Sequence, residues 1–139
     1  MTLLDSDSTE QKEYVQSILL VDDDMFIRSL TKKMVGPFVT VDTISESNQV
    51  LSAYKEGNHA LVILDIHMPN RSGLNLLADI LAYDPQACVV MASADSTKNN
   101  VIESKARGAR SFITKPFHQH KLLKILKDCP HIKSHQLNF

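Results

Sequence analysis

The chain has 139 residues, enough for one domain with a full core and too few for two. With 43% hydrophobic and 22% charged residues, and 15 basic against 16 acidic side chains, it shows no polyanion-binding excess, so nucleic acid is not an expected partner. No apolar stretch is long enough to span a bilayer, and the start (Asp5, Asp7, Glu10 and Glu13 against Lys12) is the reverse of a basic signal peptide, so a cytoplasmic location without membrane contact is expected.

Strand-like runs are predicted at 17–21, 38–43, 60–64, 87–92 and 110–114. The first, third and fourth are apolar throughout, as strands buried on both faces should be, while the second alternates Val39 and Val41 with Thr40 and Asp42. Helical stripes lie between them. Phe26, Ile27, Leu30 and Met34 form the first, opened by Asp24 as an N-cap and closed at Gly36-Pro37. Val50, Leu51 and Tyr54 mark a short helix stopped at Gly57, and Leu74, Leu77 and Leu81 a longer one between Ser72 and Asp84-Pro85. Val101, Ile102 and Ala106 form a weak stripe ending at Gly108, and Leu122, Leu123, Ile125 and Leu126 a final one ending at Pro130. Residues 1–16 and 129–139 read as polar tails around a domain at 17–128. His131 and His135 have the spacing of a helical metal pair, a weak site with only two ligands.

Strict alternation predicts an α/β fold: (βα)5, a doubly wound five-stranded parallel sheet of flavodoxin-like order 2-1-3-4-5. That order brings the ends of the first and third strands together at the ligand crevice. Asp22 and Asp23 follow the first, Asp65 the third, Ser93 the fourth and Lys115-Pro116 the fifth. Three converging carboxylates raise one another's pKa unless they share a proton or hold a divalent cation. An all-oxygen donor set favours Mg2+ over zinc. With a lysine and a hydroxyl opposite, the site suits a phosphoryl group, and Asp65 is the candidate nucleophile. Cys88 and Cys129 are far apart with no CxxC spacing, so they suggest neither a metal knuckle nor a disulfide framework.

The segments ILLVDDD, LVILDIHMPNRSG, VVMASAD and SFITKPF, in this order, resemble the four signature segments of the receiver domain of two-component response regulators. The resemblance, which is to single-domain, chemotaxis-type members, implies that Asp65 takes a phosphoryl group from a phosphohistidine on a sensor histidine kinase or histidine phosphotransfer protein. It implies Mg2+ held by Asp23, Asp65 and the backbone carbonyl of His67, with Asp22 acting mainly through water. Ser93 stands at the switch hydroxyl, Lys115 pairs with the phosphate, and Lys115-Pro116 matches a peptide bond that is cis in the family. Phe112 occupies the switch-aromatic position, without the hydroxyl of the tyrosine common there. His67 and Asp95 fall where members tune hydrolysis of the acyl phosphate.

Singly, these residues have plainer readings: Asp22 and Asp23 as helix caps, Ser93 as a turn residue, Lys115 as a solvated strand end, Phe112 as core. Their joint occurrence after successive strands favours the functional reading. His59, His118 and His120 read as surface residues near turns. The expected output is a phosphorylation-dependent protein-binding surface, or relay of the phosphoryl group, rather than enzymatic turnover of a substrate. The alternatives are an aspartate-nucleophile phosphohydrolase, for which the chain lacks a substrate cap, and a receiver piece of a larger regulator with an output domain elsewhere.

Overall fold

A computed structural model describes residues 12–133 and Leu137. Strands β1 (Val15–Val21), β2 (Thr40–Ile44), β3 (His59–Asp65), β4 (Val89–Ser93) and β5 (Ser111–Thr114) form one parallel sheet in the order β2-β1-β3-β4-β5. Helices α1 (Met25–Val35), α2 (Val50–Gly57), α3 (Gly73–Tyr83), α4 (Lys98–Ala106) and α5 (Gln119–Asp128) alternate with the strands, as expected. A short 3-10 turn, Ser47–Gln49, precedes α2.

Each strand face builds its own core, because successive strand side chains point to opposite sides. Ile18 and Leu20 of β1 join Ile27 and Val35 of α1 and Leu122 and Leu126 of α5. Leu19 and Val21 join Val50 and Tyr54 of α2 and Leu76, Leu77 and Ile80 of α3. All seven residues of β3 are buried, which accounts for its unbroken apolar run. A fully buried Leu or Ile contributes roughly 1.5–3 kcal/mol of transfer free energy, so these two layers dominate folding.

The predicted caps form: Asp24 Oδ1 accepts the Phe26 N–H at 2.8 Å, and Ser72 Oγ accepts the Leu74 N–H at 3.1 Å. Other boundaries differ. The left-handed residue ending α2 is Asn58 (φ 51°), one past Gly57, a conformation asparagine tolerates better than most residues. Phe38, expected to open β2, lies in the turn closing α1, where its N–H donates to Val35 O at 2.9 Å. In α4 only Ser104 is buried and Ile102 is exposed, as its weak stripe foreshadowed.

The expected tails are partly ordered structure. β1 begins at Val15, two residues early, because Val15 N–H donates to Asn58 O at 2.9 Å. Tyr14 OH donates to Asp84 at 2.9 Å, and Lys12 Nζ lies 3.1 Å from the same carboxylate. At the other end Cys129, Ile132 and Leu137 are buried in the α1/α5 core. His131 stacks on Tyr14 with ring centroids 3.8 Å apart, and its Nε2 lies 2.6 Å from Gln86 O; His135 lies outside the described residues. His118 and His120 are exposed, but His59 is not a surface residue. It is buried at the start of β3 with Nε2 2.9 Å from Asp42 Oδ2, because β3 is covered from its first residue.

Candidate functional site

The carboxyl ends of β1, β3, β4 and β5 bring the predicted residues together. Register fixes this: Val21 lies opposite Leu64, Asp65 opposite Ala92, and Ser93 opposite Thr114. Asp22, Asp65 and Ser93 are buried, whereas Asp23 and His67 face solvent. Carboxylate oxygens of Asp22, Asp23 and Asp65 lie within 4.8 Å of one another. Lys115 reaches in from the end of β5, with Nζ 2.6 Å from Asp22 Oδ2 and 3.0 Å from Asp65 Oδ2.

Local bonds aim these groups. Asp22 Oδ1 accepts the Asp24 N–H at 2.9 Å, and Asp65 Oδ1 accepts the His67 N–H at 3.1 Å, leaving each Oδ2 facing Lys115. Lys115 N–H donates to Ser93 O at 3.0 Å, so lysine and serine are tied through the backbone; the Lys115-Pro116 peptide is cis. Ser93 Oγ accepts the Asp95 N–H at 2.9 Å, which leaves its own proton free to donate. Asp95 Oδ1 accepts the Thr97 N–H at 3.2 Å. Phe112 is half-buried against the α2/α3 core.

Burial pushes the Asp22 carboxyl above its usual range and Asp65 adds to this, with Lys115 and the Asp24 amide opposing. For Lys115 burial acts downward, but bonds to Asp22 and Asp65 outweigh it and raise its pKa. One ammonium paired with two of the three clustered carboxylates leaves surplus negative charge. Asp22 Oδ2 is buried with the Lys115 ammonium 2.6 Å away, and as a carboxylate oxygen with more than one lone pair it retains capacity for a cation. An oxygen-only donor set around that surplus fits a hard divalent cation.

Two further residues position the site. Arg28 Nη1 donates to Asp22 O at 2.9 Å, clamping the acidic loop from the first turn of α1. Beside it a cavity of about 330 Å³ opens between Asp23, Arg28, Glu46 and Asn70. Gly73 packs its Cα onto the backbone of Asp65 and Ile66, where a Cβ would collide with the Asp65 carbonyl. Its place closes the segment LVILDIHMPNRSG, though nothing in that segment shows the close approach to Asp65; the place of Arg28, next to an acidic loop, carried a faint signal.

The family profile described as response regulator receiver domain matches residues 18–127. The chain belongs to the response regulator receiver domain family. This receiver is 38% identical over 112 residues to the chemotaxis protein CheY of Listeria monocytogenes, spanning 79% of this chain and 94% of that protein. Its fold matches the receiver domain of NtrX from Brucella abortus (TM-score 0.77, 29% identity, 84% of this chain and 99% of that one). It also matches a chain of the CheX-CheY-BeF3-Mg2+ complex from Borrelia burgdorferi (TM-score 0.74, 31% identity, 79% of this chain and 85% of that one). The receiver is thus a signalling module of two-component systems. Among its described residues no helix is long and apolar enough to cross a membrane.

Proposed function

We propose that Asp65 accepts a phosphoryl group from a phosphohistidine on a sensor kinase or histidine phosphotransfer protein. The observation that carries this reading is the Lys115 ammonium bridging Asp22 and Asp65, with Asp23 beside them, at the open end of the sheet. An Asp65 oxygen attacks phosphorus, the phosphorus–nitrogen bond breaks, and the imidazole leaves. Asp22, Asp23 and Asp65, with the backbone carbonyl of His67, would hold Mg2+. When bound, it supplies positive charge against the phosphoryl oxygens. Lys115 exchanges its bond to Asp65 for one to the phosphate, and Ser93 donates its free hydroxyl proton to another phosphoryl oxygen.

Movement of Ser93 toward the phosphate leaves room for Phe112, already half-buried, to turn further inward. Phe112 has no hydroxyl to bond, so its rotation acts through bulk alone. The surface it alters, formed by α4, β5 and α5, is the reading face for a downstream protein. The exposed side chains of His67 and Asp95 flank the acceptor and set the access of hydrolytic water. Met25 and Phe26, 70% and 68% exposed next to Asp24, give the donor protein an apolar rim to dock on.

The test is intact mass after incubation with acetyl phosphate and Mg2+. One added phosphate is expected on the wild-type chain, lost in Asp65→Ala and lost when the metal is chelated. A phosphate on both chains, or on neither, would remove Asp65 from this role.

A further inference from the structure

Cys88 and Cys129 are 41 residues apart in sequence, yet the fold puts them side by side. Cys88 immediately precedes β4, and Cys129 is the residue after α5. Two backbone contacts locate both on the same stretch of β3: Cys88 O accepts the Val62 N–H at 2.9 Å, and the Cys129 thiol donates to Ala60 O at 3.4 Å. Both side chains are buried in the same core layer, close enough for each thiol to shift the other's ionisation. A cavity of about 470 Å³, lined by Cys88, Arg110, Ser111 and Asp128, opens beside Cys88. Arg110 donates to Asp128 O at 3.1 Å, which holds a fixed positive charge next to Cys129.

We propose that Cys88 and Cys129 are a peroxide-oxidisable dithiol that closes to a disulfide, tying the segment after α5 to the start of β4. The Cys88 S–H is the main influence lowering the Cys129 thiol, to about 7; burial opposes it, and the His131 and Ile132 amides and Arg110 assist. The neighbouring Cys129 sulfur, then burial, pushes the Cys88 thiol up. With the Arg110 guanidinium held at the neighbouring Asp128 carbonyl to favour its thiolate, Cys129 is the attacking sulfur. Its thiolate attacks one oxygen of hydrogen peroxide and the O–O bond breaks. The departing hydroxide takes a proton to become water, leaving a sulfenic acid. Cys88 then loses its proton and attacks Cys129 Sγ, the S–O bond breaks, and the oxygen leaves as a second water. Two thiols are oxidised by two electrons, and one peroxide is reduced to two waters.

The bond would form at the amino end of β4, while Asp65 and Ser93 lie at the carboxyl ends of their strands. Phosphoryl acceptance should therefore survive oxidation, and the proposal stands apart from the role given to Asp65. The experiment treats the folded chain with hydrogen peroxide, alkylates remaining thiols under denaturing conditions, and measures intact mass and cross-linked peptides. The expected result is a monomer lighter by two hydrogens, resistant to alkylation, containing a Cys88–Cys129 peptide and reverting with dithiothreitol, with a Tm several degrees higher. Two thiols still alkylated, separate sulfinic acids, or a disulfide only between chains would overturn it. In Cys88→Ser a sulfenic acid trapped by dimedone at Cys129 is expected; trapping only at Cys88 in Cys129→Ser would overturn the order of attack. The wild-type measurement decides the central point whether or not either variant folds.

Discussion

Lys115 has two anionic partners, and removing it leaves the Asp22 and Asp65 carboxylates without the ammonium that bridges them. Lys115→Ala should slow phosphoryl uptake from acetyl phosphate by about 10²-fold, since a preorganised charge at the reacting group is worth that much in other sites. Quenched-flow or fluorescence kinetics would read it, and an unchanged rate would remove the lysine from the reaction. Gly73 offers a separate test, because a methyl group there must displace the Asp65 carbonyl. Gly73→Ala should cost about 1–3 kcal/mol in urea unfolding, the usual range for overpacking. The site residues were legible because each follows a short apolar run and because carboxylates, lysine and hydroxyl recur at successive strand ends. Arg28 was only faintly so, because its job is a bond to a backbone carbonyl and its one signal is its place beside an acidic loop.

At the scale of elements, Asp84 joins pieces that the sequence keeps apart. Its Oδ2 accepts from Tyr54 OH of α2 at 2.7 Å and Tyr14 OH at 2.9 Å, faces Lys12 at 3.1 Å, and its Oδ1 accepts the Gln86 N–H at 3.1 Å. Burial acts to raise the Asp84 pKa, but these bonds outweigh it and the net shift is downward. A carboxyl lowered on folding stabilises the protein above its unfolded value near 4 and loses that contribution as pH falls through the folded value. Burial, with the Asp84 bond second, raises Tyr14 and Tyr54, so their contribution is present below about pH 10 and is lost as pH rises beyond it. Stability measured against pH should therefore show a plateau between these limits. Asp84→Asn should soften both shoulders; shoulders of unchanged steepness would contradict the assignment. From sequence alone Asp84 was only the end of a helix before Pro85, because its partners lie 30 to 72 residues away.

Across the whole molecule, the alternation of strands and helices was legible because residues 18–21, 60–64 and 89–92 are buried on both faces and read as unbroken apolar runs, and the sheet order followed from the fold class. The C-terminal segment was not. Cys129, Ile132 and Leu137 are separated by His, Lys and Ser residues at no regular period, yet all three close the α1/α5 core. A chain ending at Asp128 should lose about 3–6 kcal/mol of unfolding free energy, from the apolar burial of an isoleucine and a leucine side chain. Urea titration would read it, and an unchanged midpoint would return that segment to the status of a tail. The central claim is that Asp65, held at the mouth of this sheet by its neighbours, is the phosphoryl acceptor. Its most direct test is borohydride reduction of the chain after exposure to acetyl phosphate and Mg2+, with peptide mapping of the reduced residue. An aspartyl phosphate at position 65 alone, converted to homoserine, is the expected product; reduction at another carboxylate, or phosphate left on a serine or histidine, would exclude Asp65 as the acceptor.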